Sequence, residues 1–588
     1  MRYILMMLVA AALNAQTAEQ SFQKYCAGCH GDDARGSGKG PGLAMNPRVA
    51  AQTPSQLVEF LKQGNAASGM PGFADLPVND LNLLARYMKR LNVEMILTPV
   101  PETHNVRNNW PPAQPGDWRT YNGDNSGNRY SPLQEITAAN VSRLKLKWVF
   151  PMDHGALEVT PLVADGAMYV TGPNQVLALD AATGAPLWKY SRPQSAGMVG
   201  DAKLGTNRGV ALLQDKIFFV TDNAHLLALD RSTGRLLWET PMGSGKGQHY
   251  GGTMAPLIVN DTVVTGVAGA DEGIRGFVAA YRPANGELVW RRWTVPLKGE
   301  PGSETWQGSE PLMGGGSTWL TGSYDASTDT LYWATGNPWP DGDDRDRPGD
   351  NLYTNCVLAL NGKTGEVKWH YQFTPHDLKD RDATEPNVLI DTTYRGKPSK
   401  LLLHADRNGF FYVLDRTSGK VLLAKPFLKR VDWASSIDAS GKPVVKDPRG
   451  CPSDAANWDS TAYSPRTRLY YFLALEECVG DKPGGYPDQS GQRFLRALNI
   501  ETGDVVWEVP QPGPARAKTW SGVLATAGGV IFYGQPNGGF AAVDEKSGKP
   551  LWQFPTNVRM KASPMTFLLQ GRQYVAVAAG PNILCFGL

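Results

Sequence analysis

Beyond residue 117 the chain alternates apolar and polar positions in short runs, each broken at a Gly-marked turn. Side chains along a strand point to opposite faces in turn, so such runs predict half-buried β-strands. One run recurs. Leu177-Ala178-Leu179-Asp180 leads through Thr183-Gly184 to Trp188, and Leu227-Ala228-Leu229-Asp230 leads through Thr233-Gly234 to Trp238. Weaker copies occupy 278–290, 357–369, 412–422 (where the closing Trp is lost), 496–507 and 541–552. Repeats of roughly 40–50 residues, each a four-stranded unit, predict an all-β propeller. Seven copies are visible, and residues 144–148 read as the end of an eighth, completed by C-terminal strands such as 573–578. Sharing one blade between the first and last segments closes a ring and leaves few strand edges exposed. The expectation is eight blades over 117–588, with seven the alternative, and a structural, blade-packing role for the recurring Trp residues.

The N-terminal part has a different pattern. An apolar run through Leu13 after Arg2 reads as a signal peptide over 1–15, too short to span a bilayer comfortably. No other stretch reaches transmembrane length, so the mature chain is expected to be soluble and exported. Helix-like periodicity over 79–91 closes a small all-α domain at 20–92, and the Pro-rich segment 93–116 reads as a stiff linker. Cys26-Ala27-Gly28-Cys29-His30 is the c-type haem attachment pattern: two thiols for thioether bonds and a His for the iron. A zinc site would want a second ligand pair nearby, and none precedes His104.

Composition narrows the function classes. A net charge of +2 over 588 residues leaves no nucleic-acid footprint. Of the six cysteines, Cys451 and Cys478 bracket a loop-rich segment and suit a disulfide in an oxidising compartment, while Cys356 and Cys585 sit in apolar runs as buried thiols. Residues 341–346 are acidic but lack the order of EF-hand ligands, and no hydrolase triad emerges. Residues 374–382 (Thr374 through His376, Asp377 and Asp380 to Asp382) crowd acceptors together. If extended, that segment turns Asp380 and Asp382 to the same side, and two such carboxylates need a cation, a shared proton or water.

The repeat and a long series of ordered segments resemble the quinoprotein alcohol dehydrogenases, the methanol dehydrogenase family. The series includes Glu158-Val159-Thr160-Pro161, Asn207-Arg208-Gly209, Gly314-Gly315-Gly316-Ser317-Thr318-Trp319, Thr335-Gly336-Asn337-Pro338, Thr374-Pro375-His376-Asp377, Asp406-Arg407-Asn408-Gly409, Ala456-Asn457-Trp458 and Trp520-Ser521-Gly522. The resemblance implies pyrroloquinoline quinone (PQQ) at the propeller axis, with calcium or a lanthanide ion on its oxygens. Implied PQQ contacts are Glu158, Arg208, Thr253, Ser317, Trp319, Arg407, Asn457 and Trp520. Implied metal ligands are Asp271, Asn337 and Asp380, with Asp380 also the general base that takes the substrate hydroxyl proton. Lanthanide-dependent members carry an extra Asp two residues after the base, which Asp382 matches, so the resemblance favours a lanthanide. The N-terminal domain resembles small class I cytochromes c, which implies Met70 as the distal haem ligand, with Met45 the other candidate.

The chain departs from the family in places. Ala202 and Lys203 stand where an adjacent cysteine pair is usual, Asp271 replaces a longer Glu, and Lys379 replaces a frequent Trp beside the base. The haem domain comes first rather than last. The resulting expectation is an exported quinohaemoprotein oxidising an alcohol and passing electrons through haem c to a cytochrome, copper protein or quinone. A sugar or polyol dehydrogenase and a non-catalytic haem-bearing scaffold are the alternatives.

Overall fold

Eight antiparallel sheets, each built on four strands, follow one another around a ring in the computed structural model. The structure describes residues 18–91 and 116–588, except 33, 35, 38, 45, 47, 50–51, 244–248, 309–312, 477–490 and 513–520. The signal-peptide expectation and most of the linker lie outside the described residues. The chain divides into two compact units, a helical one at the N-terminus and the propeller.

The propeller closes as the hydrophobic pattern predicts. Met565–Leu569, Arg572–Ala579 and Asn582–Gly587 supply three strands of one blade, and Lys145–Pro151 supplies the fourth, with Cys585 opposite Trp148. No blade is therefore left with an open edge where the chain ends meet. Tyr130–Ser131 adds a short parallel fifth strand to the blade of Val523–Thr526.

Each repeat signature has a mechanical reason. The Asp that ends a third strand caps the following turn: Asp180 Oδ1 accepts from the backbone N–H groups of Ala182 and Thr183. The turn ends on a Gly in the left-handed region, and the Trp of the preceding blade lies flat on it. A Cβ on Gly184 would sit 2.6 Å from the Trp148 ring, and one on Gly365 would crowd Trp290 in the same way. The indole N–H then donates across the blade boundary, Trp148 to the Ala181 carbonyl (3.2 Å), Trp188 to Arg231 (3.0 Å) and Trp238 to Pro283 (3.0 Å). Trp290, Trp369 and Trp507 repeat the bond to Gly362, Arg416 and Glu545. The lost Trp is one residue further than the sequence pattern suggested. The pairing Val413–Leu423 aligns Leu423, not Leu422, with that position, and Lys425 covers the corresponding Gly503.

In the helical unit, Ala18–Tyr25, Pro54–Gln63 and Val78–Arg90 enclose a core of Phe22, Leu57, Leu61, Leu81, Leu84 and Met88. Thr53 and Gln56 form a reciprocal capping box that starts the middle helix. Among the described residues, no helix is long and apolar enough to cross a membrane. Cys356 and Cys585 are buried free thiols, and Cys478 lies outside the described residues, so its pairing with Cys451 remains an expectation.

Candidate functional site

Site residues come from two kinds of loop. Glu158, Arg208, Thr253, Trp319, Asp382 and Asn457 each precede the first strand of successive blades, those beginning at Leu162, Ala211, Leu257, Ser323, Val388 and Ala462. Asp271, Asn337 and Arg407 lie in the links between second and third strands of three consecutive blades. Because strands alternate in direction, both kinds of loop open on the same face of the ring. They converge on one cavity of about 380 Å³, lined by Glu158, Arg208, Thr253, Asp271, Ser317, Trp319, Asn337, Asp380, Asp382, Arg407 and Asn457. Of the residues expected there in the propeller, Trp520 alone is not placed, since it lies outside the described residues.

The cavity has a basic side and an acidic side. On the basic side, the Arg208 guanidinium is sandwiched between Trp319 and Trp458, 4.8 and 4.4 Å from their ring centroids. Arg208 pairs with Glu158 at 2.8 Å, and Lys561 reaches the other Glu158 oxygen at 3.3 Å. Buried Arg208 Nε has no hydrogen-bond partner. Two cations around one carboxylate, with flat indole walls, suit a planar polyanion.

On the acidic side, residues 374–382 do not run extended. His376 and Asp380 both have positive φ, 50° and 54°, so the segment is a knotted turn. The common direction of Asp380 and Asp382 comes from an internal anchor rather than from strand alternation. Arg381 between them is fully buried and pairs with Asp377 at 2.9 Å, and its Nε donates to the Pro452 carbonyl at 2.8 Å. Asp377 also accepts the Arg381 backbone N–H at 2.6 Å. With Arg381 pinned inward, its neighbours face the cavity.

Asp382 is held by both oxygens. One accepts the Asn337 backbone N–H at 2.7 Å, the other the Trp319 indole N–H at 3.0 Å. Gly336 leaves room for this, since a Cβ there would collide with the Asp382 carboxylate. The Asn337 amide donates to Asp271 at 3.0 Å. Arg407 spans the group, with Nη1 donating to the Asp380 carbonyl (2.9 Å) and Nη2 to Asn457 (3.1 Å), while Asp380 and Asp382 carboxylates stand 3.5 and 3.3 Å away. Burial raises the pKa of Asp271, pushes Asp382 up to about 6 and holds Asp380 well above the ordinary carboxylate range, with Arg407 opposing all three shifts. Three carboxylates facing one guanidinium leave excess negative charge, and every donor atom is oxygen, the set a hard cation requires. The metal expectation fits the residues present.

Trp458, Lys561 and Ala202 also line the cavity and had no role assigned from sequence. Trp458 belonged to a matched segment, whereas Lys561 carries no motif. Ala202 packs close to Gly251, where a Cβ would approach it to 2.8 Å, and the polar side chains of Asp201, His249 and Glu272 line the cavity beside them.

In the helical unit, the His30 ring is buried and its Nδ1 lies 2.7 Å from the Pro41 carbonyl. That bond makes Nδ1 the donor and leaves Nε2 free for iron. A Cβ on Gly40 would strike the Cys29 carbonyl, so Gly is required beside the attachment turn. Met70 packs against the domain core, and Met45 lies outside the described residues.

Residues 118–424 and 512–575 match the glucose/ethanol/alcohol dehydrogenase β-propeller domain, and residues 13–88 match subunit III of cbb3-type cytochrome c oxidase. The chain belongs to the PQQ-dependent alcohol dehydrogenase family, as a quinohaemoprotein with its cytochrome domain at the N-terminus, and its cofactors are PQQ, haem c and a metal ion. Quinoprotein alcohol dehydrogenase PedH of Pseudomonas putida is 36% identical over 512 residues, 77% of this chain and 84% of the relative. A lanthanide-dependent methanol dehydrogenase of Methylorubrum extorquens is 33% identical over 532 residues, 80% of this chain and 87% of the relative. The crystal structure of the quinohemoprotein alcohol dehydrogenase of Comamonas testosteroni superposes with a TM-score of 0.74 at 33% identity, covering 81% of each chain.

Proposed function

We propose that this chain is an exported alcohol dehydrogenase in which Asp380 is the general base, a lanthanide ion is the preferred metal, and electrons leave one at a time through the Cys26–His30 domain to an external acceptor. The placement of Asp380 carries the reading: a carboxylate one-third exposed to the cavity, 3.5 Å from Arg407. Bound there, the quinone and its metal supply the electrophilic acceptor for the hydride of an alcohol carbon. Asp380 takes the hydroxyl proton as the hydride departs, and a neighbouring cation would lower its raised pKa enough to keep it ionised.

Arg407 fixes Asp380 through its carbonyl and presents positive charge to the same space. Arg208 and Lys561 would hold carboxylates of the flat cofactor, with Trp319 as an aromatic wall, Glu158, Thr253, Ser317 and Asn457 as edge contacts and Trp520 as a further wall. Asp271, Asn337, Asp380 and Asp382 would hold the metal. Asp382 supports a trivalent ion, since it adds a fixed third carboxylate charge and each oxygen keeps a lone pair beyond its hydrogen bond. The resemblance of the CxxCH domain and the packing of Met70 support His30 and Met70 as axial haem ligands. Cytochromes, copper proteins and quinones are the acceptor classes to test. Reconstitution with PQQ and either calcium or a light lanthanide, followed by dye reduction over primary alcohols, polyols and sugars, tests the reading. Turnover of alcohols with the lanthanide supports it, and no turnover with either metal sinks it.

A further inference from the structure

Arg407 has three sides, and the site uses two. Its Nη atoms face the cavity, whereas Nε points into the protein toward Glu385 Oε1, 3.6 Å away. Glu385 is 1% exposed, and neither of its oxygens nor Arg407 Nε has a hydrogen-bond partner. Behind Glu385 lies His404, fully buried and stacked on Phe373 at 4.2 Å. His404 Nε2 is 3.1 Å from Asp406 and 3.7 Å from Glu385. Asp406 also accepts the Asn408 backbone N–H at 2.8 Å. The ligating atoms of Glu385, His404 and Asp406 lie within 4.8 Å of one another.

An ionised carboxylate only accepts hydrogen bonds. Two ionised acids side by side, sealed from water, would leave Glu385 with no donor but Arg407 Nε and a repelling neighbour in Asp406. One added proton resolves the conflict. A neutral Glu385 offers one oxygen to Arg407 Nε–H, 3.6 Å away, and turns the other as a donor toward Asp406, within 4.8 Å, while His404 Nε2–H donates to Asp406 at 3.1 Å. The space behind Arg407 then holds one ionised acid, Asp406, instead of two, and the repulsion between them is gone.

We propose that Glu385 is a positioning residue that carries a proton at neutral pH, locking Arg407 from behind so that both of its amino groups stay turned to the cavity. Burial and the Asp406 charge both raise the Glu385 pKa, and Arg407 does not overcome them. The inference rests on the proposed function for what Arg407 faces, but not for the proton itself.

Infrared spectra of the protein without quinone or metal give the direct test. Among the protonated-carboxyl carbonyl bands at neutral pH, one component is expected to vanish in Glu385→Gln and to persist in Asp380→Asn; a spectrum in which Glu385→Gln removes no such component overturns the proposal. In the reconstituted enzyme, Glu385→Ala is expected to weaken quinone binding and lower kcat by about 10- to 100-fold, the range for a residue that orients a ligand-contacting group. Glu385→Gln, the isostere of the neutral acid, is expected to restore both. A Gln variant as impaired as Ala would show that an ionised carboxylate is required and overturn the proposal. So would a metal ion, found by elemental analysis, that Glu385→Gln removes and Asp382→Ala does not. Should Glu385→Ala fail to fold in a thermal melt, the infrared band and the Gln variant still decide. An infrared band without any alcohol turnover would overturn the proposed function and leave this inference standing.

Discussion

Asp380, Arg381 and Asp382 divide their work by direction: two face the cavity and the middle one is buried as the anchor. Replacing the base, Asp380→Asn, is expected to cut kcat by about 10²- to 10⁴-fold, the usual span for a general base, while quinone still binds. Steady-state dye reduction and the absorbance of the bound quinone check this together. Asp382→Ala is expected to abolish the preference for lanthanide over calcium, measured by competitive metal titration; an unchanged preference sinks the trivalent-ion reading. The metal-free protein has its own signature. An acid whose folded pKa is raised binds more protons folded than unfolded, so stability falls as pH rises from its ordinary value of about 4 to its folded value. For Asp382 the upper end is about 6. Melting temperature with a chelator should therefore drop across that interval, and saturating lanthanide should remove the drop. The carboxylates were legible in the sequence because they sit in a dense local motif. Their geometry was not, since it depends on Arg381 reaching the carbonyls of Pro448 and Pro452, about seventy positions away. The Glu385–His404–Asp406 group was invisible for a related reason: it forms only when two segments of one blade meet.

The tryptophan between blades is the repeating element of the ring, and its partner is a missing side chain. Gly184 has φ 74° and carries the Trp148 ring where a Cβ would stand. Gly184→Ala is expected to combine a left-handed strain with overpacking and destabilise by about 1–3 kcal/mol, read as a lower denaturation midpoint. Ala substitution at Gly166, where φ is 80° but no atom lies within 4 Å, isolates the backbone part of that loss. An equal effect at both positions would refute the packing account. The blade pattern was readable because each copy obeys the same local rule: an Asp cap, a Gly turn and a Trp eight positions past the Asp. The register of the degenerate copy was not. A bulge at Val413–Leu414 sets it, and the sequence has no Trp there to mark the place.

For the whole molecule, loops from seven of the eight blades, among the described residues, make a site that no single blade possesses. Removing the last strand, Asn582–Gly587, takes away the partner of Lys145–Pro151. The truncated chain is expected to lose cooperative melting and quinone retention while the haem spectrum of the N-terminal unit persists. In that unit, Met70→Ala should shift the haem spectrum and lower the reduction potential, since a Met ligand raises it. No change would assign the distal position to another residue.

The shared blade also sets a timetable. The strand Lys145–Pro151 pairs only with Asn582–Gly587, more than four hundred residues further on, so the ring cannot close until both ends of the propeller chain are present. A chain stopped late in synthesis would thus carry its haem attachment site and all the acids of the cavity, yet lack the enclosure that holds a cofactor. Closure of the ring, rather than the presence of any one active-site residue, is the step on which cofactor retention is expected to depend.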